Sequence, residues 1–273
     1  MAHCLHTQLK AAVSNPNLPV LETMQQFTLD AITASGNASM TSEQKWALNH
    51  FFYQIGAIDN TGIYAKLGGL YLPLICGGSL AHALVDYKGS NDKDISAKNV
   101  KFQSNGLVKD DPSGSISTAN IILRADYDGA VDDLSVAVMF TEALTASGTT
   151  LNTVAFKGQS SDSASIVAAA KASSKDYISL FSKRAIYSES AAYKGFVGTV
   201  SGETRKALFV SAESFASVGE ESSGAADPSG VSYVALYWND TTPIGIYMYG
   251  AALTTSEGEL LASAMKDLVN AFS

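Results

Sequence analysis

Pro243-Ile244-Gly245-Ile246-Tyr247-Met248-Tyr249-Gly250, followed by Thr254-Thr255-Ser256-Glu257, decides how the chain is read. The first run is apolar, β-branched and aromatic, the composition of a buried strand. Gly250 ends it. Thr254 with Glu257 three residues on has the spacing of a capping box, in which each side chain satisfies a free backbone N–H at a helix start. Leu261, Met265, Leu268 and Phe272 then recur at steps of four, three and four, a single apolar stripe. A last strand feeding a terminal helix that lies back on its sheet is the predicted organising element. Tyr247 and Tyr249 alternate with Ile246 and Met248, so both face one layer, read as packing under that helix.

Working upstream, short β-like runs are separated by Gly, Asn, Asp and Ser. Strands are expected near residues 81–87, 99–103, 120–124, 134–141, 153–157, 177–181, 195–200, 206–210, 232–238 and 244–249. Such a series of short strands with turn signals predicts a mainly β sandwich. Residues 161–174, rich in Ser and Ala, read as a short helix or loop, and residues 211–230 as a long exposed loop. Residues 61–75 suggest a short helix leading into a strand. Before them, Leu21, Met24, Thr28, Ala31 and Ile32 mark one helix ending near Gly36. Thr41-Ser42-Glu43-Gln44 opens a second through Trp46, Leu48, Phe51, Phe52 and Ile55. The predicted organisation is a helical assembly segment over residues 1–57 and a β domain over 58–273.

Composition bounds the function. The chain has 273 residues, 46% hydrophobic and 16% charged, a globular balance with ample core. A net charge of −8 argues against a phosphate-backbone partner, so no nucleic acid is expected. No run approaches the ~18 apolar residues of a membrane span, so no insertion is expected. Met1 to His6 lacks the basic-then-apolar order of a signal peptide, which predicts synthesis in a cytoplasm and export, if any, by another route. Two cysteines, Cys4 and Cys76, are too few for a disulfide scaffold or a thiolate zinc site. The glycosylation sequons at Asn37 and Asn239 carry little weight without a signal peptide.

Three stretches carry a family likeness. One is Trp46 to Leu74, with Ile63-Tyr64-Ala65-Lys66-Leu67 running into Leu70-Tyr71-Leu72-Pro73. Another is Asn99 to Leu107. The longest joins Gly195-Phe196-Val197-Gly198-Thr199-Val200, residues 231–238, and Ile246 to Gly250 with the terminal helix. In pattern and order, residues 45–273 resemble the concanavalin-A-like (laminin-G-like) jelly-roll domain of bacteriophage tail-fibre and other virion proteins. The chain departs from that pattern after the Gly-Phe strand. There it has Thr199-Val200-Ser201 and Gly202-Glu203-Thr204 in place of an Arg and an Asn-Gly hairpin. The resemblance implies a virion component of tail or head, a homo-oligomer (a trimer by analogy) docked on other virion proteins, with a face for bacterial surface glycans.

Candidate sites are few. Tyr237 and Trp238 with Asn239 and Asp240 offer an aromatic face beside amide and carboxylate, the ingredients of a sugar platform. The plainer reading makes one aromatic core and the other a sheet-edge cover. Asp126, Asp128 and Asp132 have the alternate oxygen spacing of a calcium loop but lack the closing Glu. A solvated turn before Leu134 is the preferred reading, so no cofactor or resident metal is expected. His3, His6, His50 and His82 form no ligand set within one element. No phosphate loop, His-Glu-x-x-His or Gly-x-Ser-x-Gly is present. No strand carries paired acids spaced for glycoside hydrolysis either. On these grounds the chain reads as not an enzyme, either a glycan-binding virion protein or a purely structural one, with a carbohydrate-active enzyme third.

Overall fold

The computed structural model describes residues 23–89, 96–103, 105–110, 119–124, 133–142, 150–157, 163–172, 175–180, 185–187, 194–202, 204–210, 215–222, 234–238 and 242–273. The chain opens with helices α1 (Gln26–Ala34), α2 (Ser42–Ile55) and α3 (Gly62–Lys66), then strand β1 (Leu67–Tyr71), a 3-10 turn (Pro73–Ile75) and the short helix α4 (Leu80–Ala83). Fourteen further strands follow: β2 (Ser96–Lys98), β3 (Val100–Gln103), β4 (Gly106–Lys109), β5 (Ala119–Arg124), β6 (Asp133–Phe140), β7 (Thr150–Lys157), β8 (Ser163–Ala172), β9 (Lys175–Leu180), β10 (Ala185–Tyr187), β11 (Gly195–Ser201), β12 (Thr204–Val210), β13 (Phe215–Ser222), β14 (Val234–Trp238) and β15 (Ile244–Gly250). Helix α5 (Thr255–Phe272) closes the chain.

The strands form two antiparallel sheets. Sheet A runs β13-β12-β11-β6-β15-β4-β3, with β1 also paired to β15, and sheet B runs β10-β9-β8-β7-β14-β5-β2. The expected β-sandwich with a terminal helix packed on it is therefore present. Strands β6 and β15 are buried along nearly their whole length, from Leu134 to Phe140 and from Ile244 to Gly250. Only a sheet covered on both faces permits such unbroken apolar runs. Sheet A is the middle layer: α5 lies on one face with α2 packed against it, and sheet B covers the other.

Register tells the two faces apart. Leu208, Val197, Ala137, Met248 and Leu70 are successive cross-strand partners and form one row. A Cβ added to Gly258 of α5 would lie 2.9 Å from Leu208 Cδ1, so this row faces the helix. Tyr247 and Tyr249 alternate with Met248 and so face the sandwich interior, where Tyr247 meets Tyr71 and Tyr249 at ring separations of 6.2 Å. This corrects the expectation that the tyrosines pack under the C-terminal helix. Ile246 and Met248 do so instead. Burial first, and the Asp86 carboxylate second, drive the Tyr71 hydroxyl far above its usual pKa.

Both capping boxes form as predicted. Gln44 N donates to Thr41 Oγ1 at 3.2 Å and Thr41 N to Gln44 Oε1 at 2.9 Å. At α5, Glu257 N donates to Thr254 Oγ1 at 3.3 Å and Thr254 N to Glu257 Oε2 at 2.7 Å. Gly36 and Gly56 end α1 and α2 in left-handed conformations.

Other expectations are corrected. Residues 81–87 are not a strand: the Ser79 hydroxyl accepts His82 N at 3.2 Å and caps α4, leaving a single bridge between Tyr71 and Asp86. The Ser/Ala-rich stretch is β8, paired on both sides by β7 and β9, so sheet pairing overrides the helical preference of alanine. Within the expected loop of residues 211–230, β13 pairs with β12. The hairpin at Gly202 closes without Asn-Gly, because Ser201 pairs with Thr204 and Gly202 takes a φ of 56°.

The helices are not a detached lead-in. Phe51, Phe52 and Ile55 of α2 belong to the same buried cluster as Met248 and Leu261, so packing does not divide the chain at residue 57. Asn49 ties α1 to α2, its Oδ1 accepting Gln25 N at 2.9 Å and the Thr28 hydroxyl at 2.8 Å. A seam then binds the hairpin between α1 and α2 to the sandwich. Gly77 N donates to Ser35 O at 2.9 Å, and a Cβ on Gly77 would collide with the Gly36 carbonyl.

Candidate functional site

One row further along the helix-facing side of sheet A, the side chains change character. Lys206, Thr199, Ser135 and Gly250 are cross-strand partners one step on from the row that contains Leu208 and Met248. Here α5 has not yet begun, and the connection from Ala251 to Thr254 crosses the end of the sheet. Its backbone polar groups need partners, and the polar row supplies them. The Ser135 hydroxyl donates to Ala251 O at 2.7 Å. Ala252 N donates to Asp133 Oδ1 at 2.9 Å, and Leu253 N to Thr199 Oγ1 at 3.1 Å. Thr199 is buried, and its hydroxyl has the carbonyls of Leu134 at 3.3 Å and Leu253 at 3.5 Å as acceptors.

Between this connection and the ends of β6, β11 and β12 opens a cleft of about 410 Å³. Its wall carries the Asp133 carboxylate, the Lys206 ammonium and the hydroxyls of Ser201, Thr254 and Thr255. Lys206 Nζ donates to Thr255 Oγ1 at 2.8 Å, so the cation is held against the first turn of α5. Behind it, Lys66 Nζ and Glu257 Oε2 pair at 2.7 Å and clamp the start of α5 to the end of α3. Partial burial disfavours the Glu257 carboxylate, but the Lys66 and Thr254 hydrogen bonds outweigh it and hold the group below its usual range. The cleft thus presents an acceptor and a donor, each held by a hydrogen bond, together with hydroxyls.

The sugar platform and the acid cluster read from the sequence name other residues. Tyr237 and Trp238 are the last two residues of β14 in sheet B, where Tyr237 pairs with Asn120 and Asn152, and Trp238 with Ala119 and Leu151. Asn239 and Asp240 lie outside the described residues, as do Asp126, Asp128 and Asp132. Among the described residues no group of three His, Cys, Asp or Glu side chains is placed to hold a metal. No helix of the described residues is long and apolar enough to cross a membrane. His82 Nδ1 lies 2.9 Å from Ser79 Oγ within the α4 cap. Burial lowers the pKa of His50 and pushes the Cys76 thiol up to about 12, neither the state of a reactive group. Asn37 of the first sequon is committed, its Nδ2 donating to Ile75 O at 3.1 Å.

No protein-family model and no curated protein matches the sequence. Solved structures do match in fold. A mutant Trypanosoma rangeli sialidase displaying trans-sialidase activity aligns with a TM-score of 0.54 at 12% identity, over 82% of this chain and 39% of its own. The T. rangeli sialidase in complex with 2,3-difluorosialic acid, a covalent intermediate, aligns with a TM-score of 0.52 at 11% identity, over 95% of this chain and 39% of its own. This chain spans about two-fifths of the length of those sialidases.

The likeness is one of fold. It nevertheless overturns the expectation that the chain is not an enzyme. That expectation rested on a sandwich without recognisable paired acids, and sialidases share this fold, so the fold gives no ground for it.

Proposed function

We propose that this chain is a bacteriophage virion protein, of tail or head, whose β-sandwich contacts a host-surface glycan. The virion half of this reading rests on the resemblance of residues 45–273 to jelly-roll domains of phage fibres. The glycan half is supported by one observation above the others. A cleft of about 410 Å³ carries a positioned carboxylate, an ammonium and three hydroxyls at the rim of a two-sheet sandwich. That volume falls in the range of roughly 300–1,000 Å³ typical of small-ligand sites. Occurrence of the fold in sialidases agrees with a carbohydrate ligand and adds no residue to the argument. The homo-oligomer and its docking on other virion proteins belong to the same proposal, with closed cyclic symmetry expected of self-association.

The test pairs two measurements on the full chain: mass in solution by light scattering, and binding to host envelope polysaccharide with released sugars analysed. A trimer that retains polysaccharide supports the proposal. A chain that binds a capsid or tail protein but no polysaccharide is a structural virion component. Release of sugar product, abolished by replacing a single Asp or Glu, makes the protein a glycosidase.

A further inference from the structure

We infer that the cleft between the polar row of sheet A and the start of α5 is the sugar site. Its ligand class is a neutral saccharide, held through its hydroxyls by Asp133 and Lys206. The inference rests on the glycan reading above and assigns it a place that the sequence did not indicate.

Chemistry selects the ligand. A carboxylate accepts hydrogen bonds only and an ammonium donates only, so together they match a polyhydroxylated ligand, whose hydroxyls both donate and accept. Hydrogen bonds to charged groups are also the stronger kind. Both groups are positioned beforehand. Asp133 Oδ1 is fixed by Ala252 N at 2.9 Å, and Lys206 Nζ by Thr255 Oγ1 at 2.8 Å. Prior positioning lowers the ordering cost of binding. The chain as a whole carries −8, which disfavours a polyanionic glycan. Among the described residues no aromatic side chain lines the cleft, and its described lining offers a sugar hydrogen bonds. A single site of this kind binds weakly, and several copies on one particle would raise the avidity.

Saturation-transfer NMR on the full chain tests this, with glucose, galactose, mannose, N-acetylglucosamine and their disaccharides as probes. Asp133→Asn keeps an oxygen for Ala252 N and removes the charge. Lys206→Met keeps the aliphatic stem and removes the donor. Each is expected to weaken the bound sugar about tenfold or more, with the unfolding midpoint close to the parent's. Trp238→Ala and Asn239→Ala, in the platform read from the sequence, are expected to leave binding intact. Retained binding in Asp133→Asn and Lys206→Met, with loss in the platform variants, overturns the cleft assignment while the glycan reading stands. Failure of the parent chain to bind any probe, when host polysaccharide is still retained, overturns the neutral-sugar assignment. Failure to retain polysaccharide as well overturns the glycan reading itself.

Discussion

Two adjacent rows on the helix-facing side of sheet A are built from the same four strands yet differ in kind. The row that contains Leu208, Val197, Ala137 and Met248 lies under α5 and is apolar throughout. The next row, Lys206, Thr199, Ser135 and Gly250, lies where the helix has not begun, and three of its four members are polar. What covers the sheet decides the chemistry of each row. A helix with its backbone bonds closed asks only for apolar surface, whereas an open connection asks for hydrogen-bond partners. The polar row is therefore a structural necessity first. A cleft opens between that connection and the strand ends that carry Asp133 and Lys206.

The comparison is broken or sharpened by substitutions in each row. Met248→Ala removes buried volume beneath the helix and is expected to cost about 2–5 kcal/mol in denaturant unfolding. Thr199→Val preserves shape but leaves Leu253 N without its acceptor, for an expected loss of about 1–3 kcal/mol. If Thr199→Val proves harmless, the polar row is not what holds the connection. Thr254→Ala removes the cap at the helix start, with an expected loss of about 1 kcal/mol. The smallest effect is a dependence on pH. Glu257 titrates below its usual 4.5 in the folded chain, so its contribution is present above that value and is lost as pH falls through the lowered one. Stability measured from pH 6 downward should fall less steeply through that interval in Glu257→Gln than in the parent.

Much of the fold was legible because local signals agreed. Both capping boxes, the apolar stripe of α5 and the alternation in β15 each announce themselves within a dozen residues. The sides of β15 were misassigned because alternation shows that Tyr247 and Tyr249 share a face but not which layer covers it. That depends on a row running through β12, β11 and β6. Strand β8 was hidden by its alanines, whose preference is reversed only by pairing on both edges. The cleft was the least legible part. Asp133, Thr199, Lys206 and Thr255 are ordinary residues far apart in the chain, and only strand register gathers them. The aromatic pair Tyr237 and Trp238 drew attention only because its members are neighbours in sequence.

The most direct test of the account is a map of backbone amide shifts as the full chain is titrated with the best-binding disaccharide. Shifts concentrated at residues 133, 199–202, 206 and 252–255, with residues 234–240 unmoved, are the predicted result. Shifts concentrated at residues 234–240, with the ends of β6, β11 and β12 silent, would contradict it and move the sugar to sheet B.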